Sequence, residues 1–186
     1  MACDLSSGRV VGCKSGIGGI VRVYIGNFQD LTAGAAWSET GGVVSATEVQ
    51  DVYQFDVRPE TSSLTINFQA SPTNGTTFFE QNLSLVFQKL DSTDIADIRI
   101  LCQGRPNIWV ETQDRDSTGL IPVVYLLGAE FGLNVTAGSA QSGTAMGDLT
   151  GYNIELQGKE REVFYQAADG TVASPLFGVT GPAVTA

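Results

Sequence analysis

The chain contains no histidine in its 186 residues. Imidazole is the usual base near neutral pH, the partner of serine and cysteine nucleophiles, and the commonest metal ligand. Its absence excludes Ser–His–Asp and Cys–His catalysis and His-ligated zinc or haem. Cysteine is scarce. Cys3, Cys13 and Cys102 are odd in number, form no C-x-x-C and have no metal-ligand spacing, so they read as three reduced thiols. Basic residues are few: 10 Lys and Arg stand against 20 Asp and Glu, a net charge of −10. Phosphate contacts need Lys and Arg, so a surface that grips nucleic acid is not expected. No apolar run reaches the ~20 residues of a spanning helix. The opening "MACDLSSGRVVGC" lacks a basic region followed by an apolar run, and synthesis in a cytoplasm is expected. The N-x-[ST] triplets at Asn74, Asn82 and Asn134 then read as chance matches.

What is present points to β-structure. Hydrophobic residues make up 42% and charged residues 16%, with 22 glycines marking many turns. The length suits one domain with a real core. The segment Gly12 to Phe28, "GCKSGIGGIVRVYIGNF", has the vocabulary of a phosphate loop but not its grammar. Lys14 precedes Gly16 instead of following the glycine, and Val21 occupies the third glycine place of G-x-G-x-x-G. The glycines also precede a strand instead of linking strand to helix. This is a flexible arm entering a strand, which divides the chain into an N-terminal arm (1–19), a β-domain (20–166) and a C-terminal arm (167–186).

Strands are expected at 20–28, 52–58, 107–113, 121–128, 131–137, 151–158 and 162–166. A glycine-rich turn, "ETGGVVSAT", follows Trp37. The clearest pattern lies between Ser62 and Leu90. Leu64, Ile66, Phe68 and Ala70 alternate with polar residues before "SPTNG", and Phe79, Leu83, Leu85 and Phe87 share one parity after it. Alternation on both sides of Asn-Gly predicts a hairpin. Arms of about 9–10 residues exceed the usual ~5–6, so its far end should project from the domain. A helix follows over 92–103, with Asp91, Ser92 or Thr93 as cap and Ile95, Ile98 and Leu101 or Cys102 on its apolar face. Gly104 and Pro106 end it.

Two acidic groups invite chemistry. "DRDSTG" sets Asp114, Asp116 and Thr118 at alternate positions, but it lacks the third acidic ligand and the distal glutamate of a calcium loop. Glu160 and Glu162 could share a strand face as an acid–base pair, yet nothing supplies a sugar cleft. No enzyme, cofactor or metal site is expected.

The order of elements resembles the tail-tube subunits of tailed bacteriophages. Four parts carry the resemblance: the glycine-rich arm "CKSGIGGIVRVYIGNF", the hairpin of 62–90, the helix, and "GDLTGYNIELQGKE" from Gly147 to Glu160. It implies a mainly β fold, a β-sandwich or partly closed barrel with a long protruding hairpin and one flanking α-helix. It implies a virion protein that assembles into stacked, hexameric rings and contacts itself and other virion proteins. DNA would pass through its lumen without specific binding. The arm would lie on a neighbour in the stack. Hairpins of adjacent subunits would pair, with Leu64, Ile66, Phe68, Phe78, Phe79, Leu83, Leu85 and Phe87 as interface candidates, and the segment from Phe68 to Phe79 would become sheet only on assembly. Rival readings are a head-decoration or tail-completion protein, a carbohydrate- or host-surface-binding sandwich, and, at the lowest weight, a hydrolase using carboxylates alone.

Elemental analysis of purified protein is expected to show no stoichiometric zinc or iron. One tightly held transition-metal ion per chain would contradict this reading of the donor set.

Overall fold

The computed structural model describes residues 8, 16–29, 37–46, 52–90, 92–116, 119–168 and 184–185. In chain order the elements are β1 (Ile20–Gly26), β2 (Trp37–Thr40), β3 (Val43–Ala46), β4 (Val52–Asp56), β5 (Ser63–Ser71), β6 (Thr76–Gln88), α1 (Ser92–Gln103), β7 (Asn107–Arg115), β8 (Pro122–Leu127), β9 (Asn134–Gln141), β10 (Gly151–Glu160), β11 (Tyr165–Ala167) and β12 (Val184–Thr185). The fold is mainly β, as expected. The strands form two sheets, and they do not close into a barrel.

The larger sheet runs β12-β4-β1-β7-β8-β11-β3-β2, and the smaller runs β5-β6-β10-β9. The segment expected as a bare turn is itself a hairpin. Thr40 pairs with Val43, and Gly41 and Gly42 both take positive φ (63° and 83°). That is the two-residue turn whose twist matches flanking strands. The C-terminal segment returns to the domain, since Val184 and Thr185 pair parallel with Val52 and Tyr53.

The larger sheet curls. β3 and β4 stand five places apart in it, about 24 Å on a flat sheet at ~4.8 Å per strand. Ala46 and Val52 are six chain positions apart, a reach of about 21 Å at most. Only a curled sheet satisfies both limits. β1 is accordingly buried on both faces. Val23 and Ile25 join one apolar cluster and Tyr24 the other, which explains why "IVRVYIGNF" shows no clean alternation.

The main core lies between the sheets. Val23, Ile25, Ile108, Val110 and Leu127 from the larger sheet meet Leu83, Leu85, Ile154 and Leu156 from the smaller. α1 adds Ile98 and Leu101 beside Phe87, Val135 and Tyr152. Its range matches the expectation, but its face differs. Ile95 and Cys102 are exposed, because the helix covers only one end of the sandwich and touches it through a narrow stripe. The candidate cap Asp91 lies outside the described residues.

The crossing from β8 to β9 is gripped by buried polar side chains of both sheets. Asn107 on β7 donates to the Gly128 carbonyl and accepts from the Gln29 amide at 2.8 Å. Gln81 on β6 accepts from the Gly128 amide at 3.0 Å and donates to the Val163 carbonyl at 2.9 Å. Glu160 on β10 accepts the amides of Glu130 and Phe131 at 3.2 and 2.9 Å. Gly132 closes the turn at φ 74°, where an added Cβ would stand 2.8 Å from the Arg105 carbonyl. Glu160 is therefore a structural acceptor. Glu162 lies beyond the end of β10 and is exposed, so the two do not form an acid–base pair.

Burial pushes the Glu160 carboxyl above its usual range, and its amide bonds oppose that shift. Replacement by alanine should cost about 2 kcal/mol, because two part-buried loop amides lose their acceptor. A raised folded pKa means the folded state holds the proton more tightly. The stabilisation is complete below the ordinary value of 4.5 and is partly withdrawn as the pH rises through the elevated value. Denaturant unfolding of wild type and Glu160→Ala should therefore show a gap that narrows from pH 4 towards pH 7.

Candidate self-association surface

The eight interface candidates divide in the structure. Leu83 and Leu85 are core, and Leu64 and Phe87 pack partly buried against them. Ile66 and Phe79 are half-buried. Phe68 is 68% exposed and Phe78 36%. The exposed side chains of the set therefore lie at the hairpin's outer end.

Register explains the division. Leu64↔Leu83, Ile66↔Gln81, Phe68↔Phe79 and Ala70↔Thr77 face one side of the small sheet. β10 flanks β6 from Gln88 only as far as Phe79, which pairs with Glu160. Beyond that point the ribbon has two strands. Its ladder still continues to Ser71↔Thr76 within the single chain, so the expectation of sheet forming only on assembly is corrected. Phe68 and Phe79 support the ladder edge to face, with centroids 5.4 Å apart. The projection is also shorter than the arm lengths implied, because β10 accompanies most of β6.

Two further exposed rings gather at this end, and sequence reasoning missed both. Phe131 is 43% exposed, and its amide is held by Glu160, the neighbour of Phe79 in register. The Arg161 guanidinium stands 5.9 Å from its ring centre and pairs with Glu130 at 3.4 Å. Phe164 is 37% exposed, packs edge-on against Tyr125 at 4.6 Å, and follows Val163, the partner of Gln81. Both rings lie in irregular segments, where no periodicity could mark them. Through these bonds the exposed Phe131 and Phe164 connect to β6 at Phe79 and Gln81, while Phe78 and Phe68 lie on opposite faces of the hairpin.

The outer face of the small sheet is polar. Register puts Thr65, Asn67, Asn82, Ser84, Glu155 and Gln157 on it. Asn82 accepts from Gln157 at 2.8 Å. Lys159 sits opposite Glu80, with its ammonium 5.5 Å from the Phe78 ring centre. This surface has little to hold a phosphate backbone. Each edge strand, β5 or β9, has one neighbour among the described residues.

A second polar group sits on the other face of the larger sheet. Tyr24 donates to Glu111 at 3.0 Å, and Arg22 lies 3.5 Å from Glu111 and 2.7 Å from Asp56. Tyr24 and Glu111 are buried and bonded to each other, and the network reaches the surface through Arg22 and the exposed Asp56 carboxylate. At "DRDSTG", the Asp116 carboxylate accepts the amides of Leu120 and Ile121 at 3.3 and 3.2 Å. That is the polar turn expected there; Thr118 lies outside the described residues, as do Cys3 and Cys13. The described residues contain no acidic, cysteine or histidine group able to hold a metal ion. No described helix is long and apolar enough to cross a membrane.

Comparison with protein-family models, with curated proteins and with solved structures gives no match.

Burial pushes the phenols of Tyr24 and Tyr165 up to about 12, and the neighbouring carboxylates reinforce the shift. A phenol with a raised folded pKa stabilises fully below its ordinary value of 10 and loses that contribution as the pH rises towards 12. Phenolate absorbance should show Tyr24 and Tyr165 ionising late, together with loss of the fold. Tyr24→Phe should delete one late-titrating group. Ionisation of all five tyrosines near pH 10 in folded protein would overturn the burial argument.

Proposed function

We propose that this chain is a non-enzymatic structural subunit that associates with copies of itself, and that its specific role is that of a phage tail-tube subunit. One observation carries the reading. Among the described residues, the small sheet combines two edges with one neighbour each, a polar outer face and an exposed aromatic end. An open edge offers unpaired amides and carbonyls to another strand. β5 of one copy meeting β9 of the next is a heterologous contact, the kind that builds rings when the rotation closes.

The size of such a ring is consistent with the role. Six copies of a four-stranded sheet bring roughly 24 strands. At ~4.8 Å spacing and ~40° tilt they enclose a barrel about 50 Å across between backbones, wide enough for a DNA duplex after side chains are allowed for. With the sheet's outer face turned inward, the lumen would be lined mainly by Asn, Gln, Ser, Thr and acidic residues, with Lys159 set opposite Glu80, and DNA can pass over it without being held. A carbohydrate-binding sheet usually offers stacking rings. Phe78 is the one aromatic residue that register places on this outer face, so that alternative has less support. Head-decoration or tail-completion roles would use the same surfaces in a different assembly.

Negative-stain microscopy of concentrated protein tests the proposal. Rings or tubes are expected, together with light scattering that rises with concentration. Replacing Gln69–Phe78 by a two-residue Asn-Gly turn keeps Phe68 opposite Phe79 and spares the β6–β10 pairing. Circular dichroism should show a folded domain, and tubes should be lost. Tubes of normal diameter from this variant would remove the hairpin from the lateral contact. A wild-type protein monomeric at all concentrations would remove the assembly reading itself.

A further inference from the structure

We propose that Asn74, at the tip of the β5–β6 hairpin, is a self-modification site where the protein converts asparagine to aspartyl and isoaspartyl residues without an enzyme. This inference is independent of the assembly reading. It rests on the position of Asn74 before Gly75 in an exposed turn and on the bonds that hold the turn.

The reaction is attack by the backbone nitrogen of residue i+1 on the side-chain carbonyl carbon of asparagine. Any side chain on residue i+1 obstructs that approach, and glycine has none. Asn74 is the single asparagine in the chain followed by glycine. Asn27, just past the end of β1, precedes Phe, and Asn67, Asn82, Asn107, Asn134 and Asn153 lie in strands and precede Phe, Leu, Ile, Val and Ile. Ladder geometry and a bulky neighbour both oppose the reaction there.

The turn determines how often Asn74 can react. Ser71 pairs with Thr76, leaving a four-residue loop. Gly75 alone in that loop has positive φ, 64°. The Gly75 amide, which is the nucleophile, donates to the Ser71 carbonyl at 2.9 Å. The Asn74 amide donates to Ser71 Oγ at 3.3 Å. Reaction requires the first bond to break, so the rate should follow opening of the tip. The hairpin is two-stranded there, and such ribbons are marginally stable in water, so opening is frequent on the scale of the fold.

The atoms balance with water as the one co-reactant. The Gly75 nitrogen bonds to Cγ of Asn74, and the Cγ–Nδ2 bond breaks. The Gly75 amide proton leaves with the amine as ammonia, giving a five-membered succinimide. Water then opens one of its two carbonyls. Opening at the side-chain carbonyl carbon gives aspartate. Opening at the main-chain carbonyl carbon gives isoaspartate, whose main chain is one carbon longer. Either product adds one negative charge to the tip. The isoaspartyl product also lengthens a loop whose register is fixed at Ser71↔Thr76.

The test incubates purified full-length protein at mildly alkaline pH and follows peptide masses, released ammonia and isoaspartyl content. Conversion should concentrate in the peptide carrying Asn74, with isoaspartate as a product, and should vanish in Asn74→Gln. Ser71→Ala should raise the rate severalfold while circular dichroism stays unchanged, and strong denaturant should raise it further. Conversion spread evenly over the asparagines, or absent at Asn74, overturns the site. Equal rates in wild type, Ser71→Ala and denatured chain overturn control by the turn.

Discussion

The crossing from β8 to β9 is the point on which the arrangement of both sheets depends. A chain leaving one layer for another exposes backbone amides and carbonyls where no ladder can pair them. Buried and unpaired, such groups cost about 1–3 kcal/mol each. Here Gln81, Asn107 and Glu160 supply the missing partners from three strands and both sheets. Their placement also fixes where the sandwich ends. The small sheet is tied down at Gln81 and Glu160, and the part of β6 beyond Phe79 lacks β10 as a neighbour. The exposed end of the hairpin is thus a consequence of where the polar anchors sit.

Much of the fold was legible in the sequence. Alternation located the hairpin arms, and helical spacing with its stop signals located α1 to the residue. Periodicity reports which residues share a face; it does not report what covers that face. Leu83, Leu85, Phe68 and Phe79 share a face, yet the leucines are core and Phe68 is exposed. The same limit applies to Ile95 and Cys102, which lie near the buried stripe of a helix too lightly docked to cover them. One residue of β6 does point to what covers the face. Gln81 breaks the apolar parity of β6, and a polar residue at a core position needs a partner. The partner proved to be the crossing loop.

The stretch "GDLTGYNIELQGKE" illustrates why a resemblance in residues speaks first to fold. Asp148 accepts from the amides of Thr144 and Ala145 and from the Thr144 hydroxyl, which holds its carboxyl below the usual range. Ile154 and Leu156 are core. Gly158 lies where an added Cβ would stand 3.1 Å from the Gly132 carbonyl, and Glu160 holds the crossing loop. Most of the pattern's distinctive residues are used in packing or in pairing backbone groups. The pattern's residues left at the surface include Glu155, Gln157 and Lys159, on the outer face of the small sheet, and none of the pattern reaches the hairpin end.

Those surfaces set an opposition between association and solubility. Exposed rings and an open strand edge favour contact between copies, and the same features threaten indiscriminate aggregation. The chain limits that risk locally. Phe78 lies beneath the Lys159 ammonium, Arg161 stands over Phe131, and Phe68 and Phe164 each turn a ring towards an intramolecular aromatic partner. It limits the risk globally through its net charge of −10, which repels approaching copies over a Debye length of about 8 Å at physiological salt. Contact area at short range must then outweigh repulsion at longer range. A single pair of phenylalanines contributes little against that barrier, whereas a strand ladder and several rings engaged together contribute enough. Such a surface favours one extended, registered contact over many casual ones, as an ordered assembly requires.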